Sequence, residues 1–101
     1  MIVYSVTVNI DNSIHEDWLA WMKNKHIPDV MATGYFSEYR MLKVISRQED
    51  EEGMSYNIQY TCASMADLHE YQVKKSPSLQ KEHSDRYEGK FAAFRTLLEF
   101  A

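Results

Sequence analysis

The sequence predicts a small α+β domain whose elements run β-α-β-β-α-β. Three observations point there. Residues 2–10 and 54–62 alternate between two side-chain classes with period two, as half-covered strands do. Two segments, 14–32 and 64–88, repeat apolar residues at the 3.6 spacing of a helix. Turn and cap residues (Asp11-Asn12-Ser13, Gly34, Gly53, Ser64, Gly89) fall between these segments.

In the first strand Ile2, Tyr4, Val6, Val8 and Ile10 share one face, and Val3, Ser5, Thr7 and Asn9 the other. Ser13 with Glu16 three residues on reads as a capping box that opens the first helix. Its stripe runs Ile14, Trp18, Trp21 or Met22, then Lys25. Pro28 lacks an amide donor and crowds the preceding turn, so a kink or break is expected near His26, followed by a short turn to Ala32. Gly34 suits the residue that ends it.

Residues 35–46 read as a long second strand of weaker alternation, and 47–53 as an acidic, solvated hairpin loop without calcium-loop spacing. The third strand, 54–62, sets Met54, Tyr56, Ile58, Tyr60 and Cys62 against Ser55, Asn57, Gln59 and Thr61. Ser64, with Asp67 behind it, opens a helix through Met65, Leu68 and Tyr71. Ser76-Pro77 reads as an N-cap and first-turn proline of a second helical piece carrying Leu79, His83 and Tyr87 at i, i+4, i+8. Gly89 ends it, and 91–100 forms the last strand. This order is solved by a ferredoxin-like sheet: four antiparallel strands in the order 4-1-3-2, both helical regions on one face.

At 101 residues one domain, 1–101, is expected. The net charge of −4 and scattered basic residues speak against nucleic acid and against a membrane surface. The N-terminal segment has no basic region and alternates, so it reads as a strand rather than a signal or span, and the protein is expected to be cytoplasmic. Cys62, the single cysteine, sits in an apolar run and reads as a small buried hydrophobe.

The uncovered face of the two central strands is polar yet uncharged. Solvated strands more often carry Lys and Glu, so this face is expected to be partly buried, by a second copy of the chain or by a small polar or amphipathic ligand. Ligand-binding candidates are Thr7, Asn57 and Gln59 on that face, Arg40 beside it, and His26 at the proline kink. The four histidines show no short His-x-x-x-His spacing, so no metal site is expected, and no cofactor is implied. His83 and Arg86 read as a solvated polar helix face, and Trp18 and Trp21 as core anchors. Tyr4, Tyr56 and Tyr60 share the helix-covered phase, unlike the base-stacking aromatics of RNA-recognition sheets. No nucleophile motif or phosphate loop is present, so no catalytic residue is assigned.

The segments MIVYSVTVNI (1–10), WLAWMKNKHIPDVMATGY (18–35) and HSDRYEGKF (83–91) resemble an uncharacterised bacterial family, a domain of unknown function within the dimeric α+β barrel group. The resemblance implies a fold and a homodimer through the open sheet face. Wider relatives of the group include cofactor-independent oxygenases and haem-degrading enzymes with pockets between sheet and helices. The expected role is therefore a homodimeric small-molecule-binding or structural protein, with a small oxygenase, isomerase-like or haem-handling enzyme as the alternative.

Overall fold

The computed structural model describes residues 1–46 and 52–101. The four strands are β1 (Ile2–Ile10), β2 (Glu38–Lys43), β3 (Met54–Cys62) and β4 (Phe91–Glu99), all antiparallel, in the spatial order β2-β3-β1-β4. Read from the other edge this is 4-1-3-2, the order expected from the sequence. The helices α1 (His15–Trp21), α2 (Ile27–Ala32), α3 (Met65–Lys74) and α4 (Ser76–Arg86) form the second layer.

The core lies between the two layers. Tyr4, Val8 and Ile10 of β1 and Tyr56, Ile58, Tyr60 and Cys62 of β3 are buried against Trp18, Met22, Ile27, Val30 and Leu68. The period-two reading of both strands therefore holds, and Cys62 is a buried free thiol. Burial disfavours the thiolate and pushes its pKa up.

Proline shapes the first helical region in a way a simple break does not. Residues Met22–His26 form a π-helical turn, and the Ile27 amide donates to the Met22 carbonyl five residues back. In α geometry the Pro28 ring would press on a carbonyl four residues earlier. Widening the turn relieves that contact, so the chain continues directly into α2 with Pro28 in its first turn. The wider turn also lines up residues five apart: the rings of Trp21 and His26 stack with centroids 5.2 Å apart.

Several local expectations are corrected. Asp11, not Ser13, caps the first helical region: its carboxylate accepts from the Ser13 amide at 2.8 Å and opens a short 3-10 turn over Asn12–Ile14. No side chain caps α1, so the Ser13–Glu16 box does not form. β2 is half the expected length: it begins three residues later, after the buried Phe36, and ends three residues sooner. Ser64 caps α3 by accepting from the Asp67 amide, as read. Ser76 does not cap α4; it is the helix's first residue, buried, and accepts from Gln80 Nε2 at 2.6 Å. Most of the acidic loop reading, 47–51, lies outside the described residues.

Gly53, at the entry to β3, has φ +79, and a Cβ there would run into the Ile10 carbonyl oxygen. Gly89, with φ +74, faces open space. Gly53→Ala is therefore expected to cost ~2–3 kcal/mol, combining left-handed strain with a backbone clash, and Gly89→Ala only ~1 kcal/mol. Urea unfolding of the two variants measures the difference, and equal losses would mean that the Gly53 clash relaxes freely.

Candidate functional site

Between the helix-facing side of β1 and β4 and the elements Met22–His26 and α4 lies a cavity of about 250 Å³. The middle of its sheet wall is apolar, formed by Val6, Val8 and Ile58, and Leu79 faces it from α4. The other wall is polar and aromatic. His26 enters from the π turn, Ser76, Gln80 and His83 from α4, and Arg95 from β4. Among the described residues no carboxylate contributes to the lining.

The two histidines have different hydrogen-bonding states. Trp18 Nε1 lies 2.9 Å from His83 Nε2. An indole N–H only donates, so His83 Nε2 accepts and the ring proton resides on Nδ1. His83 is only 8% exposed, packed edge-on to Phe91 with centroids 4.4 Å apart. Burial, and then His26 and Arg95, push its pKa down to about 4. His26 stands 5.8 Å from His83 between ring centroids. Its Nδ1 is buried and has no hydrogen-bond partner among the described residues. Burial chiefly lowers the His26 pKa, against the raising influence of Glu82 and Asp29. Both rings are therefore neutral near pH 7.

The depressed His83 pKa has a consequence for stability. Between the unfolded value near 6.5 and the folded value near 4 the unfolded chain binds the extra proton. Stability is thus fully present above pH 6.5 and falls as pH drops through this window, by ~3 kcal/mol in all. Urea midpoints between pH 7 and pH 4 should show the fall, and His83→Gln should flatten it. An unchanged slope in that variant would mean that His83 is not the titrating group.

Arg95 is the one formal charge among the described residues of the cavity lining. It pairs across the sheet with Val6 and so points to the helix side. Its Nε donates to Tyr4 Oη at 2.9 Å. Among the described residues no carboxylate lies within ion-pair distance of it. Tyr4 belongs to an aromatic cluster with Phe36, Tyr60 and Tyr71. Burial lifts the Tyr71 phenol to about 12 and raises Tyr60 further, so both remain neutral.

Of the five residues expected from the sequence to meet a ligand, only His26 lines this cavity. Thr7, Asn57, Gln59 and Arg40 lie on the opposite face of the sheet, where register places them together. There Asn57 Nδ2 donates to Ser5 Oγ at 2.7 Å and Thr7 Oγ1 at 3.0 Å, and Arg40 Nη2 donates to Gln59 Oε1 at 2.6 Å. Leu42 flanks this polar centre on β2, and Phe94 and Leu98 on β4; all three are exposed. His83 is not solvated as expected but buried; Arg86 is exposed and holds Asp17 and Tyr87 outside the cavity. The stripe Leu79, His83, Tyr87 already carried the signal for a buried His83. Nothing in the sequence singled out Arg95.

The fold has close structural counterparts of distant sequence. An ethyl tert-butyl ether d (EthD) family protein from Bacillus halodurans is similar with a TM-score of 0.73 at 9% identity, covering 100% of both chains. A dimeric ferredoxin-like protein from an uncultured marine organism is similar at 0.67 and 11% identity, over 99% of this chain and 96% of that one. SnoaB, a cofactor-independent oxygenase from Streptomyces nogalater, is similar at 0.64 and 11% identity, over 99% and 92%. No curated protein sequence matches the chain. The family model that does match spans residues 1–101, and the chain belongs to that family, the domain of unknown function DUF4286.

Proposed function

We propose that this protein is a cytoplasmic homodimer that holds a small amphipathic molecule in the cavity between sheet and helices. The observation that carries the reading is His26, which lines a cavity with an apolar floor and whose buried Nδ1 has no hydrogen-bond partner among the described residues. A buried polar atom without a partner costs ~1–3 kcal/mol, and a turn of the His26 ring onto a ligand hydroxyl or amide in the cavity would remove that cost. His26 is then the ligand contact, while Thr7, Arg40, Asn57 and Gln59 serve the contact between copies. Their mutual hydrogen bonds support this division, since they lower the cost of covering a polar face. The exposed Phe94 and Leu98 add apolar area to the same face, and a protein of this fold is dimeric.

The test is an NMR titration of the full chain with small aromatic alcohols and amides, together with thermal shift. Perturbations should concentrate on residues 22–30, 76–84 and 91–95. A ligand at 100 times its dissociation constant should add ~2.7 kcal/mol of stability. If no probe shifts these residues, the ligand-binding reading fails.

A second reading, a cofactor-independent oxygenase, is favoured by the same atom. A neutral imidazole lining the cavity, on a ring with one nitrogen free of a hydrogen-bond partner among the described residues, could accept an acidic proton of a bound molecule. Oxygen uptake on adding an activated phenol, lost in His26→Ala, would select it over simple binding.

A further inference from the structure

The cavity has an electrostatic asymmetry that bears on what enters it. The chain carries a net charge of −4, yet the described residues of the lining include one guanidinium and no carboxylate. The neighbouring acids stand outside the cavity, where Asp29 and Glu82 share the single ammonium of Lys25, at 2.5 and 3.6 Å. Arg95 spends its Nε on the Tyr4 hydroxyl and has no carboxylate among the described residues to take its remaining donors. Around it stand neutral polar groups and flat rings. His83 meets Phe91 edge-on at 4.4 Å, and Tyr4 meets Tyr71 at 6.0 Å.

We infer that the cavity takes an aromatic monoanion, seated with its charged oxygen on Arg95 and its ring against Leu79, Phe91 and the histidine pair. This rests on the cavity reading above and goes beyond it by fixing the charge class of the ligand. A single guanidinium supplies two parallel N–H donors that match one carboxylate or one ionised phenolic oxygen. A second negative charge would meet no further cation among the described lining residues. A cation would face Arg95 itself. The ring requirement follows from the walls, since edge-to-face and stacked contacts reward a flat unsaturated body over an alkyl chain.

The experiment compares 2-naphthoate with 2-naphthamide, equal in shape and different in charge, by NMR titration at pH 7.5. The acid should bind about tenfold more tightly, the scale of one charge-assisted hydrogen bond set. In Arg95→Gln the two affinities should converge, and Arg95→Lys should keep part of the preference. Raising sodium chloride should weaken the acid and leave the amide unchanged, a readout on the unaltered protein that does not depend on any variant folding. An amide that binds as well as the acid, or a preference that survives Arg95→Gln, overturns the charge assignment while the cavity reading stands. If neither compound shifts residues 22–30, 76–84 and 91–95, both fall together.

Discussion

Trp18→Ala is expected to remove ~4–6 kcal/mol of stability, enough to leave a domain of this size barely folded. Trp18 is fully buried, and its ring packs on Tyr56 with centroids 5.4 Å apart. Truncating a buried tryptophan costs ~3–5 kcal/mol through lost burial and the cavity left behind. A second loss adds to this, because His83 Nε2 accepts from Trp18 Nε1 and would be left buried without its donor. That loss is ~1–3 kcal/mol, and part of it overlaps with the first. Thermal unfolding should show a drop of about 20 °C or more. Trp18→Phe separates the two contributions. It keeps most of the ring packing, loses the donor, and should cost ~1–2 kcal/mol more than its change in volume explains. It should also free the His83 tautomer, which the pH dependence of unfolding and the imidazole resonances would report. If Trp18→Phe is as stable as the parent, the indole hydrogen bond does not hold His83 in place.

The same pair shows why part of the site was legible in the sequence and part was not. Strand faces are set by alternation, so Tyr4, Ile58 and Tyr60 could be assigned to the helix side from residue types alone. His26 could be suspected because Pro28 forces an irregular turn just there. His83 stood on an apolar stripe between Leu79 and Tyr87, but Arg86 close by suggested a solvated face. What decides is the rotation of α4 over the sheet, which no local pattern carries. Arg95 is harder still. β4 is an edge strand whose apolar residues fall on both faces, and only its register with β1, which sets Arg95 across from Val6, shows which way the guanidinium points. The expected ligand set mixed two sites for a physical reason. Thr7, Asn57 and Gln59 share the phase opposite the helices, so the thickness of the sheet separates them from any residue of the first helical region. That separation was implicit in the alternation of β1 and β3.

The open face yields the prediction of largest effect on assembly. Phe94→Glu should convert the proposed dimer to monomer with little cost to the fold. Phe94 lies across from Thr7 on the face away from the helices and is 61% exposed in the single chain. In the isolated protomer a glutamate there would be solvated, so unfolding midpoints should move by less than ~0.5 kcal/mol. In a two-fold dimer each substitution counts twice, placing two carboxylates in or beside one covered patch. The positions nearest to each in the same protomer, Ser5, Thr7 and Asn57, are uncharged, and Arg40 stands on β2 at the opposite edge of the sheet, donating to Gln59. Covering an unpaired charge costs several kcal/mol, so the dissociation constant should rise about a thousandfold or more. Sedimentation equilibrium of both proteins over micromolar concentrations measures it. Asn57→Asp adds a sharper version, since it keeps the shape and lets Ser5 and Thr7 donate to the new carboxylate within the protomer. That variant should fold normally and still dimerise weakly. A parent protein that sediments as a monomer, or a Phe94→Glu variant with an unchanged dissociation constant, would mean that the uncharged centre of this sheet is simply a solvated face, its hydroxyls and amides satisfied by one another and by water.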